Sequence, residues 1–293
     1  MLISHQEDRD MPRKPKMTDE ERRAYSAKMR GELEAVMDRA YGAMVSSEDF
    51  WAAVMRMAAN LTHTDRDDRS PTNCIAVAAQ HPTATHILSS GDWRKVGRFP
   101  VKGSTSLRIW TPIKRRPESG QETTAAAVGG RRETADETAG GEARKVSGFK
   151  AGPVFDISQT DGDDYEPPTP ARFTVEEVWA AISGADSVPD ADGECDYAVR
   201  LHLYNSALQR ISELDAPVYG QREAEVASAA HVAALILGIA PGPAVMPPLA
   251  GIITDGKKPP VHESAVRAIE TGRAIASTVR AAAERRRELA VTG

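Results

Sequence analysis

The apolar positions follow a helical period at both ends of the chain and an alternating one in between. Thr18 followed three residues later by Glu21 forms a capping box, which predicts a long polar helix to about Ala43. Trp51, Val54, Met55 and Ala58 stand at i, i+3, i+4 and i+7 and predict a second helix near 48–61 with one buried face. A charged loop over 62–70 leads to Asn73–Gln80, almost all small and apolar, expected as a short buried helix stopped by Pro82. The period then becomes two. A strand is expected over 85–89, a turn around Trp93 over 91–97, and a strand over 104–113. In that last strand Leu107, Ile109 and Thr111 alternate with Ser106, Arg108, Trp110 and Pro112, so one face is apolar and the other carries Arg108 and Trp110. Residues 149–158 return as a strand, Asp161-Gly162 turns it, and Pro167, Pro168 and Pro170 close the segment. Between the two long strands, 114–148 has almost no large apolar side chain and cannot offset its own ordering entropy. It is expected as a disordered insertion at a hairpin tip.

Beyond the prolines the helical period resumes. Thr174 with Glu177 caps a helix to Ser183. Helices over 196–214 (stripe Leu201, Tyr204, Leu208, Ile211), 221–237 and 261–289 follow, the last after a Pro/Gly stretch over 241–260. The expected class is α+β: a small sheet with packed helices, then a mostly α-helical second domain. The expected division is a polar tail and long helix (1–46), a mixed domain (47–165) and a helical domain (166–293).

Composition narrows the class. Of 293 residues, 41 % are hydrophobic and 27 % charged, which fits a water-soluble core-forming chain and excludes collagen and coiled-coil rods. No stretch of eighteen apolar residues occurs, so no membrane association is expected. Two distant cysteines, Cys74 and Cys195, build neither a disulfide framework nor a zinc ribbon, and a reducing cytoplasmic compartment is the expectation. The net charge of −5 conceals a split. Residues 85–116 hold eight basic side chains against Asp92 alone, whereas 155–196 holds twelve acids against Arg172 alone. Such a chain can bind a polyanion locally without being basic overall.

Catalytic signatures are sparse. Val128-Gly129-Gly130 lacks the Lys-Ser/Thr of a phosphate loop, and no Gly-x-Ser-x-Gly occurs. His262-Glu263 has Val266 where a second zinc ligand belongs. The binding signal is stronger, because Trp93, Phe99 and Trp110 stand among the basic residues of 85–116. Cations for phosphates and flat π faces for unpaired bases are what single-stranded nucleic acid requires. The alternative reading of the same residues places Trp93 and Phe99 in the core and makes the cations a solvated rim.

Five runs in order carry a resemblance: Ser70 to Thr85, Trp93-Arg94-Lys95-Val96-Gly97-Arg98, Val101-Lys102-Gly103, Leu107-Arg108-Ile109-Trp110-Thr111-Pro112, and Val154 to Gly162. Their order and spacing resemble the N-terminal domain of ArdC-type antirestriction proteins over about 48–162. The resemblance implies single-stranded DNA as partner. It implies DNA-binding roles for Asn73 and Gln80 on the first motif helix, for Trp93, and for the Lys102-Gly103 turn. Arg94, Lys95, Arg98 and Arg108 would supply charge and Trp110 a stacking face. Asp156 and Gln159 are read as structural. The second half resembles that family's metallopeptidase-like domain in degenerate form. Residues 222–239 are similar to its later helix, but around His202 the base and second histidine are replaced by Leu203 and Ser206. Zinc hydrolysis needs three protein ligands and a base. The expectation is therefore non-catalytic single-stranded DNA binding, antirestriction-like or protective of mobile DNA, with no metal and no cofactor. Two alternatives stay open: a zinc peptidase with an atypical site from His202, Glu225 and His231, or a protein-interaction scaffold. The partner of the C-terminal helices is unspecified.

Overall fold

Helix starts are set by short polar side chains that accept orphan backbone N–H groups. Thr18 accepts from Glu21 N while Glu21 returns a carboxylate to Thr18 N, Thr174 and Glu177 repeat this box, and Ser47, Ser70 and Ser89 cap their helices by accepting from the N3 backbone N–H alone. The computed structural model describes residues 17–62, 68–115, 145–168, 171–184, 193–214, 220–249 and 258–292. In chain order these form α1 (Asp19–Met44), α2 (Glu48–Asn60), α3 (Pro71–Gln80), β1 (Ile87–Leu88), α4 (Ser90–Lys95), β2 (Arg98–Pro100) and β3 (Leu107–Arg115). They continue with β4 (Lys145–Asp156), a 3-10 turn (Ile157–Gln159), β5 (Thr160–Gly162), α5 (Val175–Ser183), α6 (Glu194–Ser212), α7 (Gln221–Leu237) and α8 (Pro260–Thr292). The chain is α+β, as the period change implies. The polar tail, most of the charged loop, the body of the hairpin insertion (116–144) and parts of both proline-rich stretches lie outside the described residues.

Two small antiparallel sheets lie in the first half, one in the order β1-β4-β3 and one pairing β2 with β5. β3 and β4 form a hairpin whose register runs from Leu107↔Val154 to Arg115↔Lys145, with an irregularity between Pro112 and Lys114. Residues 114–115 and 145–148, expected within the insertion, are therefore strand. Two expected turns also differ. Ser89 Oγ accepts from Asp92 N and winds 90–95 into a helix, and Asp161-Gly162 is part of β5. On α6 the buried stripe is Cys195, Val199, Leu203, Ala207 and Ile211, while Leu201 and Leu208 are 44 % and 40 % exposed. That helix carries two apolar stripes, and its period alone does not say which one meets the core.

The core is continuous across residue 165. It runs from Leu33 and Met44 through Trp51, Ile75 and Ile109 to Leu203, Val232 and Ile269. Trp51 Nε1 donates to Ser228 Oγ at 2.9 Å, a buried link from α2 to α7. Arg273 of α8 donates to Ala58 O at the end of α2, which also accepts from Thr62 Oγ1, and to Arg69 O, tying α8 to the C-terminal end of α2 and the loop after it. α8 meets α7 closely at Gly272, where a Cβ would stand 2.6 Å from the Ala229 carbonyl oxygen. Among the described residues no helix is long and apolar enough to cross a membrane.

Candidate nucleic-acid interface

A strand at the edge of a sheet leaves N–H and C=O groups unpaired. On β3 two amide side chains of α3 fill that role. Asn73 Nδ2 donates to Trp110 O at 2.9 Å, and Asn73 Oδ1 accepts from Trp110 N at 2.8 Å. Gln80 does the same at Arg108, accepting from its N at 2.8 Å and donating to its O at 2.9 Å. Residues 108 and 110 present their backbone groups on one edge, and positions i and i+7 of α3 face it. Both amides, expected at the DNA, are thus engaged by the hairpin backbone.

The loop between β2 and β3 is built on Asp156. Its buried carboxylate accepts from Thr85 N, His86 N, Ser158 N and Ser158 Oγ. Burial alone would raise its pKa, but the bonds from Ser158, His86 and Thr85 together hold it below the ordinary aspartate value. Gln159 Oε1 accepts from Asp156 N, and its Nε2 donates to Thr105 O. The Gln159 carbonyl accepts from Val101 N, and Ser104 N closes a turn onto Val101 O at 3.0 Å. Gly103, at φ +93°, occupies the turn position that demands a left-handed residue, and nothing lies near where its Cβ would be. The exposed Lys102–Gly103 tip is thereby held at a defined place, with open backbone beside a cation.

The remaining expected residues divide. Trp93 is fully buried. It donates Nε1–H to Phe155 O at 2.9 Å and meets His86 and Tyr165 edge-on, so it has no free face for a base. Arg98 points to the opposite side of β2 from Phe99 and spends its guanidinium on Thr160 Oγ1, Thr160 O and Asp163 O. Lys95 pairs with Asp92 at 2.8 Å, a contact that holds the Asp92 carboxyl below its usual range. Arg108 and Trp110 share one face of the hairpin, but α1 lies against it. The Arg30 guanidinium stands 5.5 Å from the Trp110 ring centre, and Glu32 lies 4.0 Å from Arg108 Nε. Arg94 and Lys102 are exposed and make no ion pair among the described residues. On the strands, among the described residues, the exposed aromatic side chains are Phe99 and Phe149, each 53 % exposed; Tyr25 and Tyr197 are exposed on helices α1 and α6. Phe99 follows Arg98 in a strand where Arg98 is turned inward, and that alternation was the available signal. Phe149, opposite Pro112 in the hairpin, borders the low-complexity segment and carries no comparable signal.

In the second half, His202, Glu225 and His231 do not converge. The Glu225 carboxylate is fully buried and accepts two bonds from Arg267 at 2.7 and 2.9 Å, with Gln221 and Ser264 completing its shell. His231 donates Nδ1–H to Gly242 O, while burial lowers its pKa. His202 borders a cleft of about 350 Å³ with Ser206, Arg210, Glu213 and, from α8, Ile275 and Val279. Among the described residues no three His, Cys, Asp or Glu side chains are grouped to hold a metal ion.

No family model matches the chain, and no curated protein matches it. Among solved structures, the metal-free crystal structure of the antirestriction ArdC protein from plasmid R388 is similar at 15 % identity and a TM-score of 0.43, covering 86 % of this chain and 95 % of that one.

Proposed function

We propose that the chain binds single-stranded DNA without catalysis, in an antirestriction-like or mobile-DNA-protecting role, through the surface formed by β2 and the turn that follows it. The observation that carries this reading is Phe99, 53 % exposed, three residues from the unpaired Lys102 at the tip of a braced turn. A large apolar ring left in water beside a free cation and open backbone suits a base–phosphate pair. The ring stacks an unpaired base, Lys102 neutralises the adjacent phosphate, and the Gly103 backbone allows close approach. Arg94 adds a second cation. Asn73, Gln80, Trp93 and Arg98 serve the same surface from beneath by fixing β3, α4 and β2. Trp110 and Arg108 form a flanking face that α1 partly covers. The five ordered runs resembling ArdC-type proteins fall on these same elements and support the same partner.

The test is fluorescence anisotropy of a labelled single-stranded oligonucleotide titrated with the full chain at low salt. Saturable binding that Phe99→Ala weakens is the expected result. Absence of binding, or binding indifferent to both Phe99→Ala and Lys102→Ala, would refute the reading.

A further inference from the structure

In the β2–β5 pair Phe99 stands directly opposite Asp161, with Arg98 opposite Gly162 and Pro100 opposite Thr160. Directly opposed residues project from the same face, with Cβ atoms about 4.5–5.5 Å apart. The exposed Phe99 ring therefore has an exposed carboxylate at its side, and exposed Asp163 and Asp164 follow. Asp161 Oδ1 accepts from Gly162 N at 2.9 Å, which keeps the carboxylate close to its strand, and it forms no ion pair among the described residues. On the other side of Phe99 the chain turns through Val101 to the unpaired Lys102. The ring thus lies between an anion and a cation.

That arrangement treats single strands and duplexes differently. In water, a phosphate about 6–7 Å from a carboxylate is disfavoured by about threefold. A single strand avoids this by keeping its base on Phe99 and swinging its backbone to the Lys102–Gly103 side. A duplex has no unpaired base to stack, so phosphate attraction is all it can use, and its stiff second backbone cannot move aside. Repulsive elements of this kind commonly set specificity. We propose that Asp161 is a specificity-determining residue that turns duplex DNA away from the Phe99–Lys102 surface and directs a single strand toward the turn. The proposal rests on the single-stranded DNA reading.

The test uses the full chain, native and Asp161→Asn, with one labelled oligonucleotide offered single-stranded and as the duplex with its complement, at about 50 mM salt. Asparagine keeps the oxygen that accepts from Gly162 and removes only the charge. Duplex affinity should rise about threefold or more in the variant while single-strand affinity changes by much less. The difference should shrink at several-fold higher salt as the charges are screened. An equal rise on both ligands, or an unchanged duplex affinity while the native chain still binds the single strand, would overturn the role of Asp161. A native chain that binds the duplex but not the single strand, or neither, would overturn the single-stranded DNA reading and this inference with it.

Discussion

Replacing Lys102 by alanine should halve the salt dependence of single-strand binding. Of the five cations expected at the interface, Arg98 is spent on Thr160 and Asp163, Lys95 is paired with Asp92, and Arg108 lies beside Glu32 under α1. Arg94 and Lys102 are the two left to meet phosphates. Each single-strand phosphate contact contributes about −0.7 to the slope of log K against log salt, which gives about −1.4 for the native chain and about −0.7 for Lys102→Ala. Between about 50 and 200 mM salt the native affinity should fall about sevenfold and the variant's about threefold. Phe99→Ala should lower affinity by about 1–3 kcal/mol at every salt concentration, because stacking releases no counterions. Anisotropy titrations at four or five salt concentrations, with melting curves to establish that both variants are folded, measure all of this. A native slope near −3 that Lys102→Ala leaves unchanged would mean that the phosphates lie elsewhere, and would refute the account.

Other consequences follow from the braces around this surface. Asn73→Leu and Gln80→Leu each strand one N–H and one C=O of β3 and should cost about 2–6 kcal/mol in urea unfolding at about 1–3 kcal/mol per stranded group, leaving the salt slope alone once folded. Asp156 has a depressed folded-state pKa, so its stabilisation is fully present above about pH 3.9, the unfolded value. That stabilisation is lost as pH falls through the folded value, and acid unfolding of the native chain and Asp156→Asn should converge there. Identical pH profiles at all values would contradict this. In the second half, Arg267→Met leaves the buried Glu225 carboxylate uncompensated and should cost about 3–5 kcal/mol. Adding Glu225→Gln to that variant should recover much of the loss in chemical denaturation, and a purely additive double variant would argue against a coupled pair.

Local patterns determined much of this protein before any packing was considered. The capping boxes at Thr18 and Thr174, the period of α2 and the alternation of β3 each depend on residues within one turn or one pleat, so the sequence shows them directly. The capped turn of Asp156 and Gln159 is local in the same sense, although the bonds from Thr85 N and His86 N to Asp156 and from Gln159 to Thr105 O reach distant segments. What tertiary structure decided was which residues were still free to act. Asn73 and Trp110 are 37 residues apart, and nothing local says that one amide completes the other's strand edge. Trp93, Phe99 and Trp110 are alike in sequence as aromatics among cations. The packing of Tyr165 and Phe155 around Trp93, and of α1 over Trp110, leaves Phe99 as the open face among the three. Arg98 and Lys102 carry the same charge, yet the alternation of β2 and its pairing with β5 turn one inward onto Thr160 and leave the other at a turn tip in water. Residue type and spacing decide which chemistry a segment can supply. Long-range hydrogen bonds consume most of those groups, and the few left unpaired at the surface are set by which distant segments fold against them.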